Sequence, residues 1–276
     1  MKIIPISLII LLSIYSSVLP AGAMQDNMPE SADAYVNSLQ SISEPELRRM
    51  AEQGDAEAQF RLGFLYEYGK SLKQDPSEAV KWYSRSAEHG NSKAQFNLAL
   101  IYYKGKGVPK NYTLAADWFD RAAASGDAKA QLCLGLMHYN GNGSPVNFPE
   151  AKEYFNEAAE NGNSDAALCL GLMNYNGKGA PKNLEAAAKW YRRAADDGNT
   201  KAQILLASLY YNGEGASQSF KNAYIWFSLA AMNLNDPLYE KAISGKERAA
   251  KKLSAKQQEE SQKIINEWKP SRSDKK

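Results

Sequence analysis

The chain has little of what catalytic and metal centres are usually built from. Among its 276 residues are two histidines, His89 and His138, and two cysteines, Cys133 and Cys169. No Gly-x-Ser-x-Gly, His-Glu-x-x-His or cysteine cluster with zinc spacing occurs, which removes the hydrolase elbow, the zincin helix and the zinc finger from consideration. Gly69-Lys70-Ser71 has the form of the end of a phosphate loop. Yet Phe64 stands where such a loop needs glycine, and the segment closes a helix where phosphate binding needs one to begin. The formal charge of +2 falls to about +1 without Lys2, too near neutral to imply a nucleic-acid partner. Beyond the first residues, no stretch reaches the ~20 apolar residues of a membrane span.

What the chain does have is repetition. Gly54, Gly90, Gly126, Gly162 and Gly198 stand 36 residues apart without insertion. In the same register run Leu62, Leu98, Leu134, Leu170 and Leu206, then Trp82, Trp118, Tyr154, Trp190 and Trp226. A fixed period of this length means one supersecondary unit copied along the chain. Each unit carries start and stop signals for two helices. Asp55, Asn91, Asp127, Asn163 and Asn199 are placed to cap a helix A, which ends at Gly69, Gly105, Gly141, Gly177 and Gly213. Asp75, Asn111, Asn147, Asn183 and Ser219 then cap a helix B. Helical spacing puts Ala58, Leu62, Leu65 and Tyr66 on one side of the first helix A, which predicts packing against Ala79, Trp82, Tyr83, Ser86 and Ala87 of helix B. A small residue at Gly63, Ala99, Gly135, Gly171 and Ala207 allows close helix approach. One pair cannot cover its own apolar surface, so stacking of neighbours makes the core.

The first residues read as a secretory signal: Lys2, an apolar stretch from Ile3 to Val18, and an Ala21-Gly22-Ala23 cleavage site. An uncleaved anchor is the alternative. The expected organisation is a signal peptide at 1–23, a flexible segment at 24–43 and a capping helix at 44–54. Five repeats follow at 55–234, then C-terminal capping helices at 235–268, where Ser254 and Gln257 form a capping box, and a solvated basic tail at 269–276. The expected location is the periplasm or outside the cell.

The run Ala94-Gln95-x-x-Leu98-Ala99-x-x-Tyr102-x-x-Gly105-x-Gly107-Val108-Pro109, followed by Ala115-x-x-Trp118-Phe119-x-x-Ala122-Ala123-x-x-Gly126, resembles the Sel-one-like repeat (SLR), a relative of the tetratricopeptide repeat. The resemblance covers five repeats and implies an all-α fold, a right-handed αα superhelix, used as an adaptor between proteins. It brings no shared catalytic residues. His138 and Asn174 depart from the family, which usually has tyrosine there, and mark a candidate specialised surface.

Positions 57, 60, 64 and 67 of helix A and their equivalents lie together, on the side read as facing away from helix B. They and the neighbouring amides give the candidate partner-binding set Phe60, Phe96, Tyr103, Tyr139, Asn140, Tyr175, Asn176, Tyr211 and Asn212. Aromatic rings bordered by amides suit an extended protein or peptide segment; rings that merely fill the seam between repeats are the alternative. No catalytic residue, cofactor or metal ligand is assigned. The competing readings are an enzyme acting on an envelope glycan or a β-lactam-like amide, and a soft-metal site. The latter would use Cys133, Met137, Cys169 and Met173, a set of thiols and thioethers suited to Cu(I). Export would permit a disulfide between the cysteines, but equivalent positions on neighbouring helices A are separated by roughly 8–10 Å, beyond the ~7 Å a bridge tolerates.

Overall fold

A computed structural model describes residues 42–69, 72–234 and 236–271. The signal-like segment 1–23, nearly all of 24–43 and the end of the basic tail lie outside the described residues. Among the described residues there are thirteen α-helices and no strand. A single helix, α1 (Glu44–Glu52), precedes five A/B pairs: α2 (Ala56–Tyr68) and α3 (Pro76–Glu88), α4 (Ser92–Lys104) and α5 (Tyr112–Ala124), α6 (Ala128–Asn140) and α7 (Phe148–Glu160), α8 (Ser164–Asn176) and α9 (Leu184–Asp196), α10 (Thr200–Asn212) and α11 (Phe220–Ala230). Helices α12 (Tyr239–Ala250) and α13 (Ala255–Glu267) close the chain. The described residues form two compact units, one ending at Tyr154 and the other beginning at Phe155, so the division falls inside α7.

Helix ends follow from side-chain chemistry. The side chains of Asp55, Asn91, Asp127, Asn163 and Asn199 each accept a hydrogen bond from a backbone N–H three residues on, satisfying a donor that the helix leaves open. Asp75, Asn111, Asn147, Asn183 and Ser219 do the same for helices B. At the other end Gly105 has φ 73°, a left-handed conformation in which its N–H reaches the carbonyl of Ile101. The capping box at α13 is complete: the Ser254 hydroxyl accepts from Gln257 N at 3.3 Å, and Ser254 N donates to Gln257 Oε1 at 2.9 Å.

The packing of helix A differs from the one-sided arrangement that its spacing predicts. In the first unit, Ala58, Leu62 and Leu65 of α2 pack on Leu47 and Ala51 of α1 together with Trp82 of α3. Phe60 and Phe64, on the other flank of α2, pack on Ala79, Tyr83 and Ala87 of α3 and on Ala94, Leu98 and Ile101 of α4. Helix α2 is therefore enclosed by the preceding helix α1, its own helix B, α3, and the next helix A, α4. A helix apolar nearly all round is a buried one, whereas the helices B α3, α5, α7 and α9 keep a solvated face; α11 is buried from Ala223 to Ala230.

Close approach is visible at Gly63, where an added Cβ would lie 2.6 Å from the ring of Tyr83. Gly171 is in the same position relative to Tyr191 in the second unit. Gly63→Ala should cost about 1–3 kcal/mol, the range for overpacking a filled core, measured as a lower denaturant midpoint with unchanged m.

Candidate functional site

The predicted binding residues fall into three environments. Phe60 and Phe96 belong to the core: Phe60 lies 5.7 Å from the ring of Tyr83, and Phe96, with no exposed surface, meets Phe119 edge-on at 5.6 Å. Neither offers surface to a partner. The reason is the enclosure of helix A, which turns position 60 toward helix B where the spacing placed it on an open face.

The four tyrosines at the ends of helices A are placed differently. Tyr103 packs 5.1 Å from Tyr112, Tyr139 meets Phe148 edge-on at 5.2 Å, and Tyr211 meets Phe220 edge-on at 5.3 Å. In each pair the second ring is the first residue of the following helix B, so the contact clasps the loop between the two helices. Tyr103 and Tyr211 remain half-buried, while Tyr139 and Tyr175 keep only 9% of their surface. The Tyr103 hydroxyl accepts from Asn142 Nδ2 at 2.7 Å, and burial, with Tyr112 next to it, pushes its pKa up to about 12. Lys182 Nζ lies 4.8 Å from the centroid of Tyr175, and the Arg248 guanidinium 5.9 Å from that of Tyr211.

Asn140, Asn176 and Asn212, the last residues of α6, α8 and α10, are exposed. The Asn176 amide donates back to Leu172 O at 2.9 Å. The exposed part of the candidate set is thus an amide beside a pinned tyrosine ring, recurring every 36 residues.

Two polar features went unread in the sequence. Glu67 occupies the register of the four tyrosines, is buried, accepts from the Tyr83 hydroxyl at 2.8 Å and pairs with Lys106 Nζ at 3.0 Å. Burial, the Glu67 charge and this bond raise the Tyr83 pKa well above its ordinary value. Gln59, Gln95 and Gln203 each donate from Nε2 to the last turn of the preceding helix, at Ala51 O, Ala87 O and Ala195 O. Their 36-residue spacing was the available signal.

The remaining reactive side chains are quiet. Cys133 and Cys169 are free and buried, and burial drives both thiols well above the usual thiol range, away from the nucleophilic thiolate. His89 ends α3 with Nδ1 2.9 Å from Gln59 Oε1. Among the described residues no three His, Cys, Asp or Glu side chains are placed to hold a metal ion, and no helix is long and apolar enough to cross a membrane.

The Sel1 repeat model matches residues 56–91, 92–127, 128–163, 164–199 and 200–233 in unbroken succession. The chain belongs to the Sel1 repeat family. Its repeats superpose on c5321, a protective antigen of uropathogenic Escherichia coli with an SLR fold, with TM-score 0.70 and 38% identity over 80% of this chain and 47% of that one. The chain therefore spans about half the length of that antigen. A Sel1 repeat protein from Oxalobacter formigenes superposes with TM-score 0.65 and 29% identity, over 84% of this chain and 87% of the other. No curated protein matches. The fold is thus the helix-pair solenoid of SLR proteins, which are generally non-enzymatic scaffolds for protein interaction.

Proposed function

We propose that this Sel1 repeat chain is an exported, non-enzymatic adaptor that holds a protein or peptide on its concave surface. The observation that carries this reading is the exposed amide at Asn140, Asn176 and Asn212, each beside a tyrosine held by the loop it clasps. An amide offers both a donor and an acceptor to a peptide backbone. A ring already fixed by its neighbours loses little entropy when a partner covers its edge.

The test combines Asn140→Ala, Asn176→Ala and Asn212→Ala, and measures capture of envelope proteins together with melting temperature. Each lost peptide contact is worth about 1 kcal/mol, so the triple variant should bind its partner roughly 100-fold more weakly while melting like the parent. A variant that keeps full affinity would place the partner on another surface. Export has a separate check: intact mass of the mature chain should begin at Met24. A chain retaining Lys2 would be a tethered one.

A further inference from the structure

Arg48, Ser84, Asp120, Asn156 and Arg192 share one register on the helices that precede each repeat's helix A. Where this residue is arginine, its guanidinium fills a slot against the following repeat. Arg48 Nη2 donates to the Tyr66 hydroxyl at 3.0 Å, and its Cζ lies 5.7 Å from that ring's centroid. Arg192 repeats the arrangement: Nη2 donates to the Tyr210 hydroxyl at 2.8 Å, and Cζ lies 5.7 Å from the Tyr210 centroid and 4.9 Å from that of Trp226. Each guanidinium also has a carboxylate near it, Glu44 at 2.9 Å from Arg48 and Asp196 at 3.9 Å from Arg192. The chain thus meets one packing problem twice with the same group.

In the third repeat all three members of the slot differ. Asp120 stands for the arginine, His138 for the tyrosine and Tyr154 for the tryptophan. A cavity of about 220 Å³ opens there, with Tyr112, Asp117, Asp120, His138, Glu150 and Tyr154 in its wall and no lysine or arginine among the residues lining it. The His138 ring stacks on Tyr154 at 5.4 Å with 10° between planes, and the Tyr154 hydroxyl donates to Asp120 Oδ1 at 3.1 Å. Glu150 accepts from Asn147 Nδ2 at 2.7 Å. It stays 3.5 Å from His138 Nδ1, and that buried nitrogen has no hydrogen-bond partner. Burial raises the Asp120 carboxyl above the ordinary carboxylate range; the Tyr154 bond and His138 oppose this, while Asp117 and Glu150 add to it.

We propose that this third slot is a socket for the guanidinium of an arginine side chain on a protein partner, which takes the place that Arg48 and Arg192 fill from within the chain. Asp117, Asp120 and Glu150 all line the cavity, where the other two slots each hold a cation. A planar guanidinium can lay its face on a ring while its fixed fork of N–H donors bonds carboxylates; an ammonium has donors but no planar face to stack. Small-molecule pockets are typically roughly 300–1,000 Å³, so this volume suits the end of a side chain better than a whole metabolite. The inference stands independently of the amides at the ends of helices A, because Asn140, Asn176 and Asn212 are not among the residues that line this cavity between α5, α7 and the end of α6.

The test is an amide NMR titration of the mature protein with acetyl-Gly-Arg-Gly-amide, its lysine and citrulline counterparts, and free L-arginine. The arginine peptide should give saturable shifts confined to 112–120 and 138–154, the lysine peptide should bind several-fold more weakly, and neutral citrulline should give none. Asp120→Asn should weaken the arginine peptide at least fivefold. Asp120→Arg should supply the guanidinium in cis, abolish the shifts and raise the melting temperature. Equal shifts from citrulline, shifts elsewhere, or unchanged binding to either Asp120 variant would overturn the socket. Tighter binding of free arginine than of the capped peptide would overturn a protein source. Each variant's own amide spectrum reports whether it folds, and Asp120→Asn carries the test should Asp120→Arg not fold.

Discussion

Tyr139→Ala should lower the stability of the chain by about 3–5 kcal/mol, the range for truncating a buried aromatic ring. Its melting temperature should fall on the order of 10 °C. The ring keeps 9% of its surface and is pinned edge-on against Phe148, the first residue of α7. Its removal opens a void under the loop between α6 and α7 and unties the two helices there. Asn140→Ala, one residue on but exposed, should change stability by no more than ~0.5 kcal/mol. The pair separates two roles that the sequence ran together, because a ring in an open groove would leave the melting curve untouched when truncated. An unchanged melt for Tyr139→Ala would therefore return Tyr139 to the binding surface.

The helix ends were legible because they are local. A capping Asn or Asp and a left-handed Gly act within four residues, so Asn91 and Gly105 announce α4 without knowledge of anything that packs on it. The faces of helix A were not legible. Periodicity selects a buried side only when another side is polar, and α4 buries every residue from Ala94 to Ile101. Phe60 and Phe96 were misplaced for that reason, toward a face that Tyr83 and Phe119 already cover. The candidate site was half visible. Exposed Asn140, Asn176 and Asn212 followed from their register, but the clasp between Tyr211 and Phe220 depends on how a loop folds back, which residue spacing alone does not give. The substitution at His138 was visible as a departure, yet its meaning depended on Arg48 and Arg192, whose side chains a sequence reading treats as solvated charge.

Glu67→Ala should cost about 3 kcal/mol, an effect on the scale of a core truncation from a residue that looks like surface charge in the sequence. Glu67 is buried between the first two repeats, where one carboxylate oxygen accepts from the Tyr83 hydroxyl and the other from Lys106 Nζ. Asn97 Nδ2 donates to the same hydroxyl at 3.3 Å, and Lys106 Nζ lies 5.2 Å from the centroid of Tyr68. Truncation leaves the Tyr83 proton without an acceptor in a fully enclosed position, a desolvation cost of about 1–3 kcal/mol. A cavity term is added to it. Removing one partner of a buried ion pair costs ~3–5 kcal/mol when the other charge stays buried. Lys106 keeps about a third of its side chain exposed and can turn to water, so the effect falls toward the lower end. Glu67→Gln retains an acceptor for Tyr83 at nearly the same volume and should recover more than half of the loss. Tyr83→Phe in the Glu67→Ala background should also recover stability, since it removes the orphaned hydroxyl. Denaturant midpoints for these three variants decide the matter. Equal losses for Glu67→Ala and Glu67→Gln would assign the effect to the ion pair with Lys106, and no loss in either would mean that the network contributes nothing to joining the first repeat to the second.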